Sequence, residues 1–346
     1  MSTTLGTIAI LGSGETSPNL VSVHRELLED CNEKNSSYIL DSPFGFQENA
    51  DLLVDKLIEF YKTSLNTDIK LATFRKMSDL NTPQFFKSIA LLEKAEFIFA
   101  GPGSPSYASK LWAEGEIENL FKNHINKGGK ALFASAAAST LGEFTLPVYE
   151  IYKVGIDPYW EKGLNVLKLF NLNCTVVPHF NNKEGGNHDT SYSYVGAKRV
   201  NSLLNIAYTN LLGIDEHTAL IITGRDNKYK VKGLGNVTLV TKDNNVVFES
   251  GSEGKLSDLQ NCLSESNFIE SQPTKKEKTN IKDELSKKIA DLEIQVENNI
   301  KNTHALEMVV NEINQLRKDL RNEKKYDVSD SLRNILENAD IQVEDS

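Results

Sequence analysis

The sequence has few cysteines and no long apolar run. Three of its 346 residues are cysteines, and they lack the spacing of a metal site or a disulfide framework. The first apolar run, at residues 8–11, is too short for a signal-peptide core or a membrane span. These absences predict a cytoplasmic protein with no membrane association.

Positive charge is also scarce. The 38 Lys and Arg residues are outnumbered by 48 Asp and Glu residues, which gives a net charge of −10 at neutral pH. Because contacts with phosphate need clustered cations, this balance argues against broad nucleic-acid binding. The hydrophobic content of 39% and the charged content of 25% are ordinary for a globular protein, and the length indicates two domains.

Short apolar runs alternate with amphipathic stretches through the first 250 residues. This alternation is typical of a doubly wound, mostly parallel sheet with helices on both faces. The predicted strands are 6–11, 37–40, 69–72, 97–100, 131–135 and 175–177. The predicted helices are 20–28, 50–61, 83–92, 107–112, 117–126 and 194–204. Four later runs predict antiparallel strands that finish the domain, at 219–223, 228–231, 237–241 and 245–249.

The composition changes near residue 255, where we predict the end of the α/β domain that begins at residue 1. A polar stretch with Pro273 and several lysines predicts a linker within 256–280. Residues 281–346 repeat apolar side chains at heptad spacing, with an interruption near 298–304, which predicts a helical tail. A coiled coil would make a homodimer, whereas an intramolecular hairpin would bury the same residues.

Ser135 is the first candidate for chemistry, because ligands bind beyond the carboxyl ends of the strands in such sheets. It ends a predicted strand and precedes three alanines. A sharp turn into a helix would expose its hydroxyl, and the backbone N–H of Ala136 could then face an oxyanion. The alternative is a serine that only caps a helix. Phe133 stands where such turns usually carry glycine, and it could crowd the serine.

Three segments after other strands could supply partners for this serine. Gly103 could bring a second N–H toward the oxyanion, since a missing Cβ permits close approach. His179 could accept the serine proton, and a carboxylate from the Asp215-Glu216 pair could orient the imidazole. The alternatives are a plain Gly/Pro turn, a buried structural histidine and a solvated acidic turn.

The remaining polar residues of these loops predict a substrate pocket. They are Glu15, Glu150, Asn182, His188 and Asp189. The histidines and Asp189 lack a metal-ligand spacing, so we predict no metal, and a serine–histidine–carboxylate set needs no cofactor. The Gly-Ser-Gly turn before Glu15 matches neither a dinucleotide nor a nucleoside-triphosphate fingerprint.

Taken in order, these segments resemble the cyanophycinase and aspartyl dipeptidase family of serine peptidases over residues 5–250. Residues 135–138 resemble its Ser-Ala-Gly-Ala turn, Pro178-His179-Phe180 its His-Phe pair, and residues 213–219 its Gly-Ile-Asp-Glu-x-Thr-Ala segment. The resemblance implies a class I glutamine amidotransferase-like, flavodoxin-like fold. It also implies a Ser–His–Glu triad, which here would be Ser135, His179 and Glu216.

The sequence is more similar still to an uncharacterised branch of this fold, usually labelled type 1 glutamine amidotransferase-like. The shared stretches include residues 11–15, 147–155 and 178–190, and Glu150 within them is a second candidate for the supporting carboxylate. No cysteine occupies the turn at Ser135, which argues against glutamine amidotransfer.

The arginines that follow His-Phe in the peptidases are absent here. Asn181, Asn182, Lys183 and Glu184 replace them. This argues against an aspartyl-peptide substrate, although Lys183 could supply one positive charge. We therefore expect a serine hydrolase that cleaves a peptide or amide bond of a small substrate. The alternative is a non-catalytic binding module.

The helical tail carries a second resemblance. Residues 313–346 are similar to the C-terminal helices of cysteinyl-tRNA synthetase. This implies association of the tail with tRNA or a synthetase, or a borrowed helical hairpin without an RNA role. Acidic residues outnumber basic ones beyond residue 255, and charged helical surfaces are usually only solvated. The basic residues that could form an RNA-binding face are Arg317, Lys318, Arg321, Lys324, Lys325 and Arg333.

Overall fold

A computed structural model describes residues 5–29, 31 and 36–264. The predicted tail at 281–346, with its coiled-coil and synthetase-like features, lies outside these residues, as does the second half of the predicted linker. Among the described residues, no helix is long and apolar enough to cross a membrane.

The described strands lie in a large central sheet, a smaller second sheet and a two-stranded sheet of short strands. They are β1 (Thr7–Leu11), β2 (Ser37–Leu40), β3 (Lys70–Ala72), β4 (Phe97–Ala100), β5 (Lys130–Ala134), β6 (Phe144–Thr145), β7 (Glu161–Lys162), β8 (Thr175–Val177), β9 (Leu211–Ile214), β10 (Thr218–Thr223), β11 (Lys228–Gly233), β12 (Val237–Val240), β13 (Asn245–Phe248) and β14 (Glu253–Lys255).

Helices connect these strands. The described α-helices are α1 (Val21–Leu28), α2 (Ala50–Leu65), α3 (Pro83–Leu92), α4 (Pro105–Glu114), α5 (Ile117–Asn126), α6 (Ala136–Ser139), α7 (Ala197–Ile206) and α8 (Leu256–Ser264). Short 3₁₀ segments at Pro18–Leu20, Ser42–Phe44, Met77–Asp79 and Val166–Phe170 and a π-helical turn at Glu150–Val154 complete the set.

The central sheet has the strand order β14-β11-β10-β1-β5-β4-β2-β3. Strands β1 to β5 run parallel to one another, and β10, β11 and β14 add an antiparallel edge. Alternate residues of β5 enter opposite cores, because side chains of a strand point to opposite faces. Phe133 packs with α3, α4 and α5, whereas Leu132 packs with α1 and α2. The mostly parallel α/β sandwich predicted from the alternation is thereby confirmed.

The later strands, predicted to be antiparallel and to finish the domain, divide between the central sheet and a second sheet. Its order is β13-β12-β9-β8, with β8 and β9 parallel and the others antiparallel. Strand β9 is absent from the predicted set, because a run of four apolar residues beside a helix has no diagnostic period. Because β12 pairs with β9, the hairpin of β12 and β13 lies in the second sheet and not in the central one. The strand before His179 therefore belongs to this second sheet.

Helix α8 occupies the first part of the segment predicted as linker. Leu256, Leu259 and Leu263 are buried in the core on the α3–α5 face of the central sheet. Their spacing places them on one side of a helix, which gives this segment an apolar stripe to bury. A linker beginning at residue 256 is therefore wrong, and the packed chain continues through α8.

Candidate active site

Ser135 lies at a sharp turn between β5 and α6. Its backbone has φ 52° and ψ −113°, in a region that residues with a side chain seldom adopt. The Ser135 N–H donates to the Leu11 carbonyl at 3.0 Å, and its own carbonyl accepts from Ser139 N–H. Its hydroxyl makes no hydrogen bond to the helix end. The interpretation that the Ser135 side chain caps the helix is therefore wrong.

The Ser135 hydroxyl instead contacts His179, which follows β8. Ser135 Oγ lies 2.9 Å from His179 Nε2. The end of β8 is fixed by the Phe180 N–H, which donates to the Ile214 carbonyl at the end of β9. The ring of Phe180 packs over Gly213, where a Cβ would approach the ring to 2.3 Å. Because β8 and β9 are parallel, their carboxyl ends bring His179 and Glu216 to the same edge of the second sheet.

Glu216 completes a chain of hydrogen bonds. Its Oε1 lies 2.9 Å from His179 Nδ1. A carboxylate only accepts, so Nδ1 carries the proton and Nε2 is left to accept from the serine hydroxyl. The hydrogen bond from His179 lowers the pKa of Glu216 and outweighs the effect of its partial burial. The three side chains therefore form one polarised line from hydroxyl to carboxylate.

Two neighbouring asparagines hold Glu216, one through its carboxylate and one through its backbone. Asn182 Nδ2 donates to the same Oε1 at 2.9 Å, and Asn181 Oδ1 accepts from the Glu216 N–H at 2.9 Å. Asn182 is 1% exposed, and its Oδ1 accepts from the Glu184 N–H at 3.1 Å. This second bond fixes which end of the Asn182 amide faces the carboxylate.

The loop after β1 braces the Glu216 segment from the other side. Ser13 Oγ accepts from His217 N–H at 3.2 Å, and Ser17 Oγ lies 3.1 Å from His217 Nδ1. Gly12 lies so close to the Asp215 carbonyl that a Cβ would approach it to 2.0 Å. The Gly-Ser-Gly turn therefore supports a neighbouring loop by close packing.

Gly103 and Ala136 flank Ser135 on one cavity of about 440 Å³. Gly103 has φ 144°, and a Cβ there would lie 1.9 Å from the Pro43 carbonyl oxygen, so only glycine fits. Ala136 is the first residue of α6, where backbone N–H groups point away from the helix. The rest of the lining is Pro102, Pro105, Val148, Tyr149, Tyr152, Lys153, Pro178, His179, Glu184, Ser193 and Tyr194.

None of the five residues predicted to line the pocket belongs to this lining. Asn182 supports Glu216 from a buried position. The Asp189 carboxylate instead accepts from the N–H of Ala197, the first residue of α7, at 2.7 Å, and from the Ser191 N–H within its own loop at 2.9 Å. His188 stacks behind Tyr152 with ring centroids 6.0 Å apart. These loop residues have structural partners, which loop position alone does not predict.

The other two acids are largely withdrawn from the cavity. Glu15 follows β1, and burial raises the pKa of its carboxyl, although His179 and His217 lie near enough to oppose this. Glu150 accepts a hydrogen bond from Ser106 through Oε1, while its Oε2 is buried without a partner. Glu150 therefore does not take the place of Glu216 beside His179.

Phe133 does not crowd the serine. Its ring is fully buried and meets the ring of Phe121 edge to face, with centroids 5.0 Å apart. Phe133 lies within β5 and its side chain packs in the core on the α3–α5 face, whereas Ser135 lies beyond the end of the strand, where the left-handed turn redirects its side chain. Lys183 is exposed and does not line the cavity. The cation of the lining is Lys153, which the sequence did not single out.

Comparisons with known proteins identify a shared fold. No family model matches the chain, and no curated protein matches it. A crystal structure of a peptidase from an acI-B1 Actinobacterium is 21% identical, with a TM-score of 0.57 over 74% of this chain and 98% of that one. The chain shares its fold with a peptidase. A protein of Listeria monocytogenes EGD-e with a provisional peptidase E designation is 15% identical, with a TM-score of 0.45 over 67% of this chain and 100% of that one.

Proposed function

We propose that the protein is a serine hydrolase, related to the cyanophycinase and aspartyl dipeptidase family, that cleaves a peptide or amide bond. The observation that carries this proposal is the continuous hydrogen-bonded line from Ser135 through His179 to Glu216. A nucleophile, a base within hydrogen-bond reach and a group that orients the base are the three parts of such an apparatus. The fold shared with a peptidase supports the same reaction class.

In the proposed reaction, Ser135 Oγ attacks the carbonyl carbon of the substrate while His179 Nε2 takes its proton. Glu216 stabilises the imidazolium, and the N–H groups of Gly103 and Ala136 donate to the oxyanion. Collapse of the tetrahedral intermediate breaks the C–N bond, and His179 gives its proton to the leaving amine. Water then attacks the acyl-serine by the same route, which releases the carboxylic acid and restores the hydroxyl.

Two serines of the same cavity allow a matched test. Ser135→Ala should abolish hydrolysis of peptide and amide substrates, whereas Ser193→Ala should leave it nearly unchanged. Ser193 lines the cavity but donates no side-chain hydrogen bond to His179. The measurement is release of free amine from a mixed library of short peptides. Equal release by wild type and Ser135→Ala would exclude the proposed nucleophile.

The alternative of a non-catalytic binding module depended on Phe133 at the turn. Since this ring lies in the core, it no longer favours that alternative. Association of the tail with tRNA, a synthetase or a second copy rests on the sequence alone and stays a prediction. A gel shift with bulk tRNA at low salt, with a chain ending at residue 264 as control, tests its RNA part.

A further inference from the structure

Two tyrosines form one wall of the cavity, and they belong to a row of aromatic rings that ends at the proposed catalytic histidine. The rings of His188, Tyr152 and Tyr194 follow one another with centroid distances of 6.0 and 5.7 Å. The last of them lies 5.4 Å from the ring of His179. We call Tyr152 and Tyr194, which line the cavity that also holds Ser135, the aromatic wall. His188 supports it by stacking on Tyr152.

The inner end of the aromatic wall is set by an unusual backbone. Tyr192, Ser193 and Tyr194 have φ values of 54°, 59° and 68° in succession. Left-handed backbone is unfavourable for residues with a side chain, so three in a row persist only where the surroundings hold them. Here the Ser193 N–H donates to the His179 carbonyl at 3.1 Å. The same turn thus supports His179 and brings Tyr194 against its ring.

Charges of both signs border the aromatic wall. Lys153 Nζ lies 5.1 Å from the centroid of Tyr152. Glu184 Oε2 accepts from the Tyr194 hydroxyl at 3.3 Å, and Glu216 lies beyond His179. A charged substrate group of either sign would therefore meet repulsion as well as attraction, so these charges select neither sign. The apolar surface of the rings attracts without such opposition. A neutral planar group gains both burial and ring contact there.

We propose that the aromatic wall selects substrates that carry an aromatic side chain, such as Phe, Tyr or Trp, beside the bond to be cleaved. The inference rests on the proposed function for the placement of that bond, because Ser135 and the aromatic wall share one cavity. Contact between two aromatic rings raises affinity about three- to tenfold beyond the effect of burying the same apolar surface. We therefore expect N-acetyl-phenylalaninamide to bind about three- to tenfold more tightly than the aspartyl and lysyl analogues.

Equilibrium binding tests this without any need for turnover. NMR titration of the full chain gives the dissociation constants of the N-acetyl amides of Phe, Leu, Asp and Lys. Adenosine monophosphate is titrated in the same way, as a planar ligand of a different class. Tyr152→Leu should weaken the phenylalanine ligand about three- to tenfold, Tyr152→Phe should retain its affinity, and Tyr208→Leu should change nothing. Tyr208 is a suitable control because it is an exposed tyrosine outside the cavity, bonded to Asn210.

The inference is overturned by equal affinity for the four amides, by a preference for Asp or Lys, by no binding of any of them, or by tighter binding of the nucleotide. It is also overturned if Tyr152→Leu binds the phenylalanine ligand as wild type does. A chain that shows the aromatic preference but has an unreactive Ser135 would contradict the proposed hydrolase alone. A reactive Ser135 without the preference would contradict the aromatic wall alone.

Discussion

Glu216→Gln offers a graded test of the hydrogen-bonded line, because one oxygen of Glu216 serves two donors. His179 Nδ1 and Asn182 Nδ2 both lie 2.9 Å from Oε1. An amide at position 216 could present either its oxygen or its NH₂ group at this point. The Asn182 NH₂ group only donates, so it selects the amide oxygen. His179 Nδ1–H then keeps its acceptor, and Nε2 stays free to accept from Ser135.

The loss in Glu216→Gln should therefore come from the missing negative charge alone. A charged acceptor is worth about 1 kcal/mol more than a neutral one in a hydrogen bond, and a unit charge about 4 Å from an imidazolium near a protein surface contributes up to about 4 kcal/mol. At 1.4 kcal/mol per factor of ten, the expected loss in kcat/KM is roughly tenfold to a thousandfold.

Removal of Asn182 in the Gln background should enlarge this loss. In Glu216→Gln with Asn182→Ala, the amide can turn its NH₂ group toward Nδ1, which forces the proton onto Nε2. Ser135 then has no base, and a wrong tautomer of this kind costs about ten-thousandfold in kcat. Asn182→Ala alone keeps the carboxylate and should lose less than tenfold.

The assay is kcat/KM on a cleaved peptide, or the second-order rate of Ser135 modification by a fluorophosphonate. A single Glu216→Gln variant that is as slow as the double variant would refute the selection of the amide oxygen by Asn182. Equal rates for wild type and Glu216→Gln would refute the role of Glu216 itself.

Three further predictions concern the frame of the site. Burial lowers the pKa of His24 to about 4 from an ordinary value of 6.5. The contribution of neutral His24 to the free energy of unfolding is therefore fully present above pH 6.5, and about 3 kcal/mol of it is lost as the pH falls to 4. The urea midpoint of His24→Gln should lack this dependence on pH. Gly103→Ala should lower the free energy of unfolding in urea by more than 2 kcal/mol, because φ is 144° and the new Cβ would clash with Pro43. Gly186→Ala should lower it by only about 1 kcal/mol, because φ is 62° and the position faces open space. Phe133→Leu should lose about 1 kcal/mol and keep kcat/KM within about twofold, since its ring packs in the core.

Much of the central sheet was predictable, because strands buried on both faces are continuous apolar runs between amphipathic helices. The bounds of β2 and β4, and of the helices α3 and α5 that pack on this sheet, agree with the prediction to the residue. The second sheet was not predictable in the same way. Which strand pairs with which depends on contacts distant in sequence, and the four-residue β9 carries no period of its own. A prediction that lacks β9 therefore also lacks the strand with which β12 pairs.

The sequence favoured the residues that follow strands as the site, and the structure brings Ser135, His179 and Glu216 into hydrogen-bond contact. Their catalytic roles stay predictions. The cavity walls could not be predicted by the same rule. Tyr152 lies on a π-helical turn and Tyr194 on a left-handed one, and neither follows a strand. Side chains on irregular segments are placed by packing, which no local pattern records.

The most direct test of the central claim is the site of modification by a fluorophosphonate. On the folded wild-type chain, mass spectrometry should find one adduct, at Ser135, which forms far more slowly in His179→Ala and is absent in Ser135→Ala. An unmodified folded chain, or an adduct at another serine with Ser135 left free, would contradict the assignment of Ser135 as a nucleophile activated by His179 and Glu216.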